Sequence, residues 1–371
     1  MTNLSGYIGN PDLRQIAGKV HSGIRITPDE GLLLYEKAEL PLLGLLSGII
    51  RRRKNGNLAC FNRNFHIEPT NICIHNCRFC SYHRPSGDKL AWELSIAEML
   101  ETVRRFDGKP VTEVHIVGGV HPLHGIDYYA GLLRLIKEHR PDLHIKAFSA
   151  IELDYIIVKS GLTLRQGLEL LKESGLGSIP GGGAEIFDED LRKRICPEKT
   201  GPARWLEIHE TAHILGIPSN ATMLYGHIES YVHRIDHMNR LRNLQDRTGG
   251  FSAFIPLKYK MANNSMSYAG EVSTVEDLRN YAVARIFLDN IPHIKAYWPA
   301  MGREIAGLSL SFGADDLDGT IDDTTRIYSM AGAEEKNPAM TTDEICRLIR
   351  DARFEPVERD SLYNFINTFA L

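Results

Sequence analysis

From about residue 60 the chain alternates short, largely apolar runs that stop at Gly, Pro, Ser or Asn with longer segments whose apolar positions recur at helical spacing. The short runs predict strands at Phe65–Glu68, Glu113–Val117, His144–Phe148, Gly177–Ile179, Asn220–Leu224, Phe251–Ile255, His293–Trp298 and Leu308–Phe312. The longer segments predict helices that include Ser95–Arg105, Tyr128–Glu138, Thr163–Glu173, Ala203–Leu215, Arg234–Asp246 and Val275–Leu288. Eight strands alternating with helices is the count of a (β/α)8 barrel, and helical crossovers make neighbouring strands parallel. A doubly wound open sheet competes, but no G-x-G-x-x-G opens a helix after the first strand. The expected fold is therefore α/β, a TIM-type (β/α)8 barrel over residues 60–318.

The two ends read differently. Residues 1–59 are expected to form a helical N-terminal extension, with Pro28 opening one helix and the apolar run after Pro41 ending in Arg51, Arg52, Arg53 and Lys54. That quartet fits a solvated helix end, where cations complement the dipole. Residues 319–371 are expected to form a helical tail packed on the barrel, clearest at Asp343–Arg350.

Composition narrows the partners. With 371 residues, 43% of them hydrophobic, the chain can bury a sizeable core. Its 43 Lys and Arg against 47 Asp and Glu leave a formal charge of −4, which offers no general attraction to nucleic acid or an anionic membrane. The longest apolar stretch, Leu40–Ile50, is broken by Pro41, Gly44 and Gly48 and falls short of the ~20 residues needed to span a bilayer. No membrane insertion is expected, and without a visible leader the expected location is cytoplasmic.

The chemistry concentrates in EPTNICIHNCRFCSYHRP, where Cys73, Cys77 and Cys80 stand at C-x3-C-x2-C spacing directly after the first predicted strand. A loop there opens at the C-terminal mouth of a barrel, where active sites of this fold are built. Three soft thiolates on one loop can converge on a metal centre, and a cubane iron-sulfur cluster held by three cysteines leaves one iron open. Two other readings stand beside it: a structural zinc that takes His83 as fourth ligand, and a set of buried free thiols. Cys60, Cys196 and Cys346 are isolated and read as small core residues.

This motif resembles the signature of the radical S-adenosylmethionine superfamily. The resemblance implies a 4Fe-4S cluster on Cys73, Cys77 and Cys80, with S-adenosylmethionine chelated at the open iron and cleaved reductively. Phe79 occupies the aromatic position that packs near adenine in that family. The Gly118–Gly119 pair of IVGGVHP matches the turn that approaches the methionyl amino group, since absent Cβ atoms permit close contact. The family often carries Glu after the pair, whereas this chain has Val120 and then His121.

Further stretches, SIPGGGAEIF, WLEIHETAHILG and ATMLYGHIE, resemble the futalosine-pathway branch of menaquinone biosynthesis. HIEPTNIC, LRNLQDRTGGFSAFIPL and IPHIKAYWPAMG resemble its adenosyl-adding member more than its cyclising one. The implied reaction adds the 5′-deoxyadenosyl radical to the enol ether of 3-(1-carboxyvinyloxy)benzoate, followed by rearrangement onto the ring and loss of a carboxyl group. S-adenosylmethionine is then a consumed substrate, and the electron comes from a flavodoxin or ferredoxin.

That chemistry asks for rigid, dry confinement of two reactants and for cations facing two carboxylates. Arg84, Arg303 and His66 are the candidates for the carboxylates. His66 and Glu68 share one strand face, as do His115 and Val117, and buried polar strand residues need a partner or a ligand. His66, Glu68 and Glu185 are the catalytic candidates, with Arg84, His115 and Arg303 assigned to the substrate. Glu185 follows the Gly181–Gly183 triplet, and Gly226 and Glu229 lie where the superfamily often contacts adenine. His209 and His213 read as a helix-surface pair, and Asp315, Asp316, Asp318, Asp322 and Asp323 as a polar loop at the barrel rim. The reading of a different class is a zinc-stabilised, non-catalytic binding protein.

Overall fold

Local signals start the helices. Asn10, Thr27, Ser95, Ser149, Thr163 and Thr341 each accept backbone N–H groups of the following turn, and proline stands at the first turns of helices Pro11–Ser22, Pro28–Lys37, Leu40–Asn55 and Pro202–Ile214. The computed structural model describes residues 8–320, 326–333 and 338–369.

The strands are β1 (Leu58–Phe61), β2 (Asn64–Ile67), β3 (Glu113–Ile116), β4 (His144–Ala147), β5 (Leu176–Ser178), β6 (Ser219–Tyr225), β7 (Phe251–Lys258), β8 (His293–Ala296), β9 (Asp316–Leu317), β10 (Glu355–Arg359) and β11 (Phe365–Thr368). β2 to β5 pair in parallel, as do β6 to β9, and a parallel bridge between Ile179 and Ser219 joins the two arcs. Thr320 seals the remaining seam: its N–H donates to the Asn62 carbonyl at 3.2 Å and its hydroxyl to the Asn64 carbonyl at 3.1 Å. A Cβ on Gly319 would lie 2.2 Å from the Asn62 carbonyl oxygen, so glycine is required for that approach. The eight parallel strands β2 to β9 and their helices form the α/β barrel expected.

Several expectations change. Leu308–Phe312 is no strand: helix Arg303–Ser309 and a turn of 3-10 helix occupy it, with Phe312 packed on Gly44 of the N-terminal helices. The eighth strand is Asp316–Leu317, hidden from a hydrophobicity reading because its inward side chains are charged. Asp316 binds Arg359 at 2.5 Å, Asp318 binds Lys295 at 3.0 Å, and Asp315 pairs with Arg285. These aspartates are buried rather than a polar rim loop, while Asp322 and Asp323 lie outside the described residues.

The C-terminal segment is not wholly helical either. After helix Thr342–Asp351, β10 pairs in parallel with β1, and β11 pairs with β10 in antiparallel fashion. β1 crosses the boundary expected at residue 59 and joins this annex to β9 through Cys60 and Asp316. Arg51 is fully buried, its guanidinium donating to the carbonyls of Ala314, Gly56 and Leu58. The basic quartet is thus not simply a solvated helix end. His209 and His213 meet at the Ser219 hydroxyl, each 2.8 Å away, so this pair serves helix-to-barrel packing rather than the surface. Among the described residues no helix is long and apolar enough to cross a membrane.

Candidate active site

The loop leaving β2 is cross-braced before it reaches the cysteines. The Thr70 hydroxyl donates to the Trp92 carbonyl at 2.6 Å, the Trp92 N–H returns to the Asn71 side chain at 2.8 Å, and the Tyr82 hydroxyl reaches the Thr70 carbonyl at 3.1 Å. The Cys73 sulfur accepts N–H groups of His75 and Val120, and the Cys80 sulfur that of His83, all at 3.4 Å. Such N–H···S contacts suit thiolates bound to iron. Burial drives the Cys77 thiol far above its usual range. Burial also opposes the Cys80 thiolate, but hydrogen bonds from His83 outweigh it and lower that pKa.

One zinc ion would draw four donor atoms within about 3.8 Å of one another at its ordinary bond lengths. The sulfurs are not so gathered. Among the described residues the group whose donor atoms all lie within 4.8 Å is Glu93, His121 and His124, not the three cysteines with or without His83. A cubane, whose thiolates bind different irons, fits the wider arrangement. The Glu93 group is satisfied internally: Glu93 touches both imidazoles, and His121 Nδ1 already accepts the Leu123 N–H at 3.2 Å. With Nδ1 accepting, neutral His121 carries its proton on Nε2, which faces Glu93 rather than offering a lone pair.

All three cysteines and Phe79 open onto a cavity of about 290 Å³ at the C-terminal mouth of the barrel. Gly118, Gly119 and Ser149 form one wall, Gly182, Gly183 and Glu185 the next, and Ile255, Leu257 and Tyr259 face them. His66 and His115 form its floor, their rings 4.7 Å apart and edge to face. Beneath them Lys146 binds Glu113 at 2.6 Å. Burial first, then His66 and Lys146, lowers the His115 pKa to about 3, so its ring is neutral.

Close backbone approach defines the glycine turn. A Cβ on Gly118 would stand 2.8 Å from the Thr70 carbonyl oxygen, and one on Gly119 only 2.2 Å from that of Ile72. Gly119→Ala therefore must displace the loop that carries Cys73. Overpacking of this kind costs ~1–3 kcal/mol, and we expect a lower melting temperature together with reduced iron incorporation. Iron content equal to wild type would show that the loop yields freely.

Glu185 adopts φ +49°, a strained value for a side-chain-bearing residue, and receives Lys199 at 2.6 Å. Burial opposes the Lys199 charge, but neighbouring anionic groups, Glu185 among them, hold it protonated well above the usual lysine range. Lys199 also lies 5.2 Å over the Phe79 ring.

Five expected site residues do not line the cavity. Glu68 accepts the N–H groups of Arg326 and Ile327, fastening the C-terminal segment over the mouth. Arg84 turns back onto the carbonyls of Ser81 and His83. Arg303 binds Glu344 at 3.3 Å and the Ala339 carbonyl at 2.9 Å, so its charge serves the junction with the C-terminal helix. Glu229 binds Arg234 at 2.8 Å and accepts the Gly226 N–H at 2.6 Å, while Gly226, at φ +85°, makes the turn. These short-range or distant partners were invisible in spacing alone.

Among the described residues the lysines that reach the cavity are Lys199, Lys258 and Lys260, paired with Glu185, Asp277 and Glu271. Tyr297 and Tyr328 also line it. None stood out in the sequence, because lysine and tyrosine carry no diagnostic spacing; position at a strand end was the available signal for Lys258.

The chain belongs to the radical SAM superfamily: residues 67–241 match its model, and residues 248–370 match the CofH/MqnC C-terminal region. It is 43% identical over 366 residues to aminodeoxyfutalosine synthase of Thermus thermophilus, covering 98% of each chain. It is 37% identical to cyclic dehypoxanthine futalosine synthase of Streptomyces coelicolor, over 96% of this chain and 89% of that one. The fold also resembles the FeFe-hydrogenase maturase HydG from Carboxydothermus hydrogenoformans, with TM-score 0.75, 19% identity, and coverage of 95% and 80% of the two chains. Family membership implies a 4Fe-4S cluster and S-adenosylmethionine, and it replaces the zinc-stabilised, non-catalytic reading.

Proposed function

We propose that the protein makes aminodeoxyfutalosine, joining the adenosyl group of S-adenosylmethionine to 3-(1-carboxyvinyloxy)benzoate. The observation that carries this reading is the placement of Cys73, Cys77 and Cys80 on one braced loop over a single cavity, with the Gly118–Gly119 turn across from them. Near full-length similarity to aminodeoxyfutalosine synthase supports the particular reaction. A 4Fe-4S cluster on the three cysteines would supply the electron that cleaves S-adenosylmethionine to methionine and the adenosyl radical, fed by a flavodoxin or ferredoxin.

The chain's own residues confine and orient. Phe79, Gly118 and Gly119 hold the adenosyl donor against the cysteine loop, and the apolar Ile255 and Leu257 keep the cavity dry. Water exclusion matters because a carbon radical takes hydrogen from the first donor it meets. His66 and His115 face the aromatic substrate from the floor, and the paired lysines share their charge with its carboxylates. Glu185, held by Lys199, is placed to act on water added during the late steps. The location consistent with this role is the cytoplasm.

The test is anaerobic reconstitution with iron and sulfide, then dithionite, S-adenosylmethionine and the enol ether. We expect a product that retains the adenosyl group, identified by mass. Release of 5′-deoxyadenosine alone, with consumption of a nucleoside substrate, would instead identify the cyclising enzyme, to which the 37% identity also points.

A further inference from the structure

Residues 326–333 lie over the mouth of the cavity and are pinned there from several sides. The Glu68 carboxylate, just past β2, accepts the N–H groups of Arg326 at 3.0 Å and Ile327 at 3.3 Å. The Asn263 side chain donates to the Met330 carbonyl at 2.8 Å, and the Arg326 guanidinium lies 5.1 Å over the Trp92 ring. Between these pins, helix Ile327–Met330 sets Tyr328 into the cavity, its ring centre 5.0 Å from that of Tyr297.

Other hydroxyls of this cavity are engaged within the protein. Those of Ser81, Tyr82, Ser149, Thr222 and Tyr259 all donate to protein acceptors. The Tyr328 hydroxyl differs, for among the described residues it has no hydrogen-bond partner. On the floor, His115 Nε2 is likewise buried without one. A phenol withdrawn from water ordinarily finds an acceptor, so one left open toward a cavity marks the place of a ligand oxygen. Burial, with the charges of Glu185 and Asp318 adding to it, lifts the Tyr328 phenol above its usual range, so the O–H is kept. Both acids are themselves matched, by Lys199 at 2.6 Å and Lys295 at 3.0 Å. A neutral donor among paired charges suits a carboxylate, to which a hydrogen bond is strong.

Position and chemistry together choose the carboxylate. Phe79, Gly118 and Gly119, the holders of the adenosyl donor, follow β2 and β3, whereas Tyr297 and Tyr328 follow β8 and β9. The two tyrosines therefore wall the space left to the second reactant. A donor on the enolpyruvyl carboxyl would stabilise the charge that the reaction must shed, and so slow its loss. The ring carboxylate is retained in the product and can be gripped throughout. We propose that the Tyr328 hydroxyl binds the ring carboxylate of the benzoate enol ether, and that Glu68 is the positioning residue that fixes the segment bearing it. The inference rests on the adenosyl-adding reaction proposed above.

The experiment compares kcat/KM of the cluster-loaded enzyme for the benzoate enol ether and for the phenyl analogue that lacks the ring carboxylate. A hydrogen bond to a charged group changes binding roughly 10–100-fold. Tyr328→Phe should lower kcat/KM for the benzoate by about that factor, mainly through KM, and leave the analogue within about threefold of wild type. Iron content, melting temperature and the dissociation constant of S-adenosylmethionine should match wild type, because the lost hydroxyl has no partner in the fold. Glu68→Ala should reproduce the loss of discrimination, and Glu68→Gln, whose amide oxygen can still accept both N–H groups, should restore it. A Tyr328→Phe enzyme that treats both compounds as wild type does, or loses activity on both equally, would overturn the proposal. Discrimination kept by Glu68→Ala would take the positioning role from Glu68. A wild type that turns over the analogue as readily as the benzoate would also overturn the proposal, and that result needs no variant. A wild type that cleaves S-adenosylmethionine yet leaves the enol ether untouched would reject the adenosyl-adding reaction and this inference with it, a result distinct from equal losses in the variant.

Discussion

Replacing Cys73, Cys77 or Cys80 singly by alanine is expected to reduce turnover below detection and to strip the protein of labile sulfide and brown colour, while Cys60→Ala retains all three. The three thiols sit on one loop at the cavity, whereas Cys60 lies on β1, paired with β9 and β10 outside the barrel strands. Each cysteine of the loop serves as a separate ligand, so its loss removes one attachment of the cluster; the neighbouring donor His83 is already engaged with Cys80. Iron and sulfide assays on anaerobically purified protein provide the measurement, beside product formation. Catalysis by a triple Cys→Ala protein would reject the assignment outright.

The second large effect concerns stability. Asp316 is fully buried and receives Arg359 at 2.5 Å, the Tyr363 hydroxyl at 2.6 Å, and Lys295 at 3.7 Å. Asp316→Ala would remove the carboxylate that faces buried Arg359, leaving Lys295 with Asp318 at 3.0 Å, and breaking one side of such a pair costs ~3–5 kcal/mol. Because Arg359 and Tyr363 belong to the C-terminal strands, the loss should loosen that annex first, visible as protease cleavage after residue 351 before the barrel unfolds. Denaturant unfolding followed by fluorescence gives the magnitude. A change below about 1 kcal/mol, within the range of a surface ion pair, would mean that water reaches this network and screens it.

Barrel strands with mostly apolar or β-branched side chains were legible, because their pattern is local. Phe65–Ile67, Val114–Ile116 and Phe254–Ile255 all fall within observed strands, and Ser95 and Thr163 begin helices through caps that need only the next turn. Asp316–Leu317 was not legible, since its burial depends on Lys295, Arg359 and Arg285, contributed by other elements. The same reason misplaced Arg84 and Arg303: as isolated cations near predicted strand ends both looked available, yet each found carbonyl partners.

The spacing of Cys73, Cys77 and Cys80 after a strand, and the alternation of strand and helix, determined the superfamily and its barrel before any coordinate was known. Both are short-range properties, carried by covalent distance and side-chain period. Which polar groups face the cavity was settled only by folding, because a charged side chain is neutralised by whatever neighbour the closed barrel brings within reach. Glu152 beside Gly118, 34 positions away in the chain, and Lys199 beside Glu185 are outcomes of that closure. Their partners meet through tertiary packing, and nothing in the local sequence encodes the meeting.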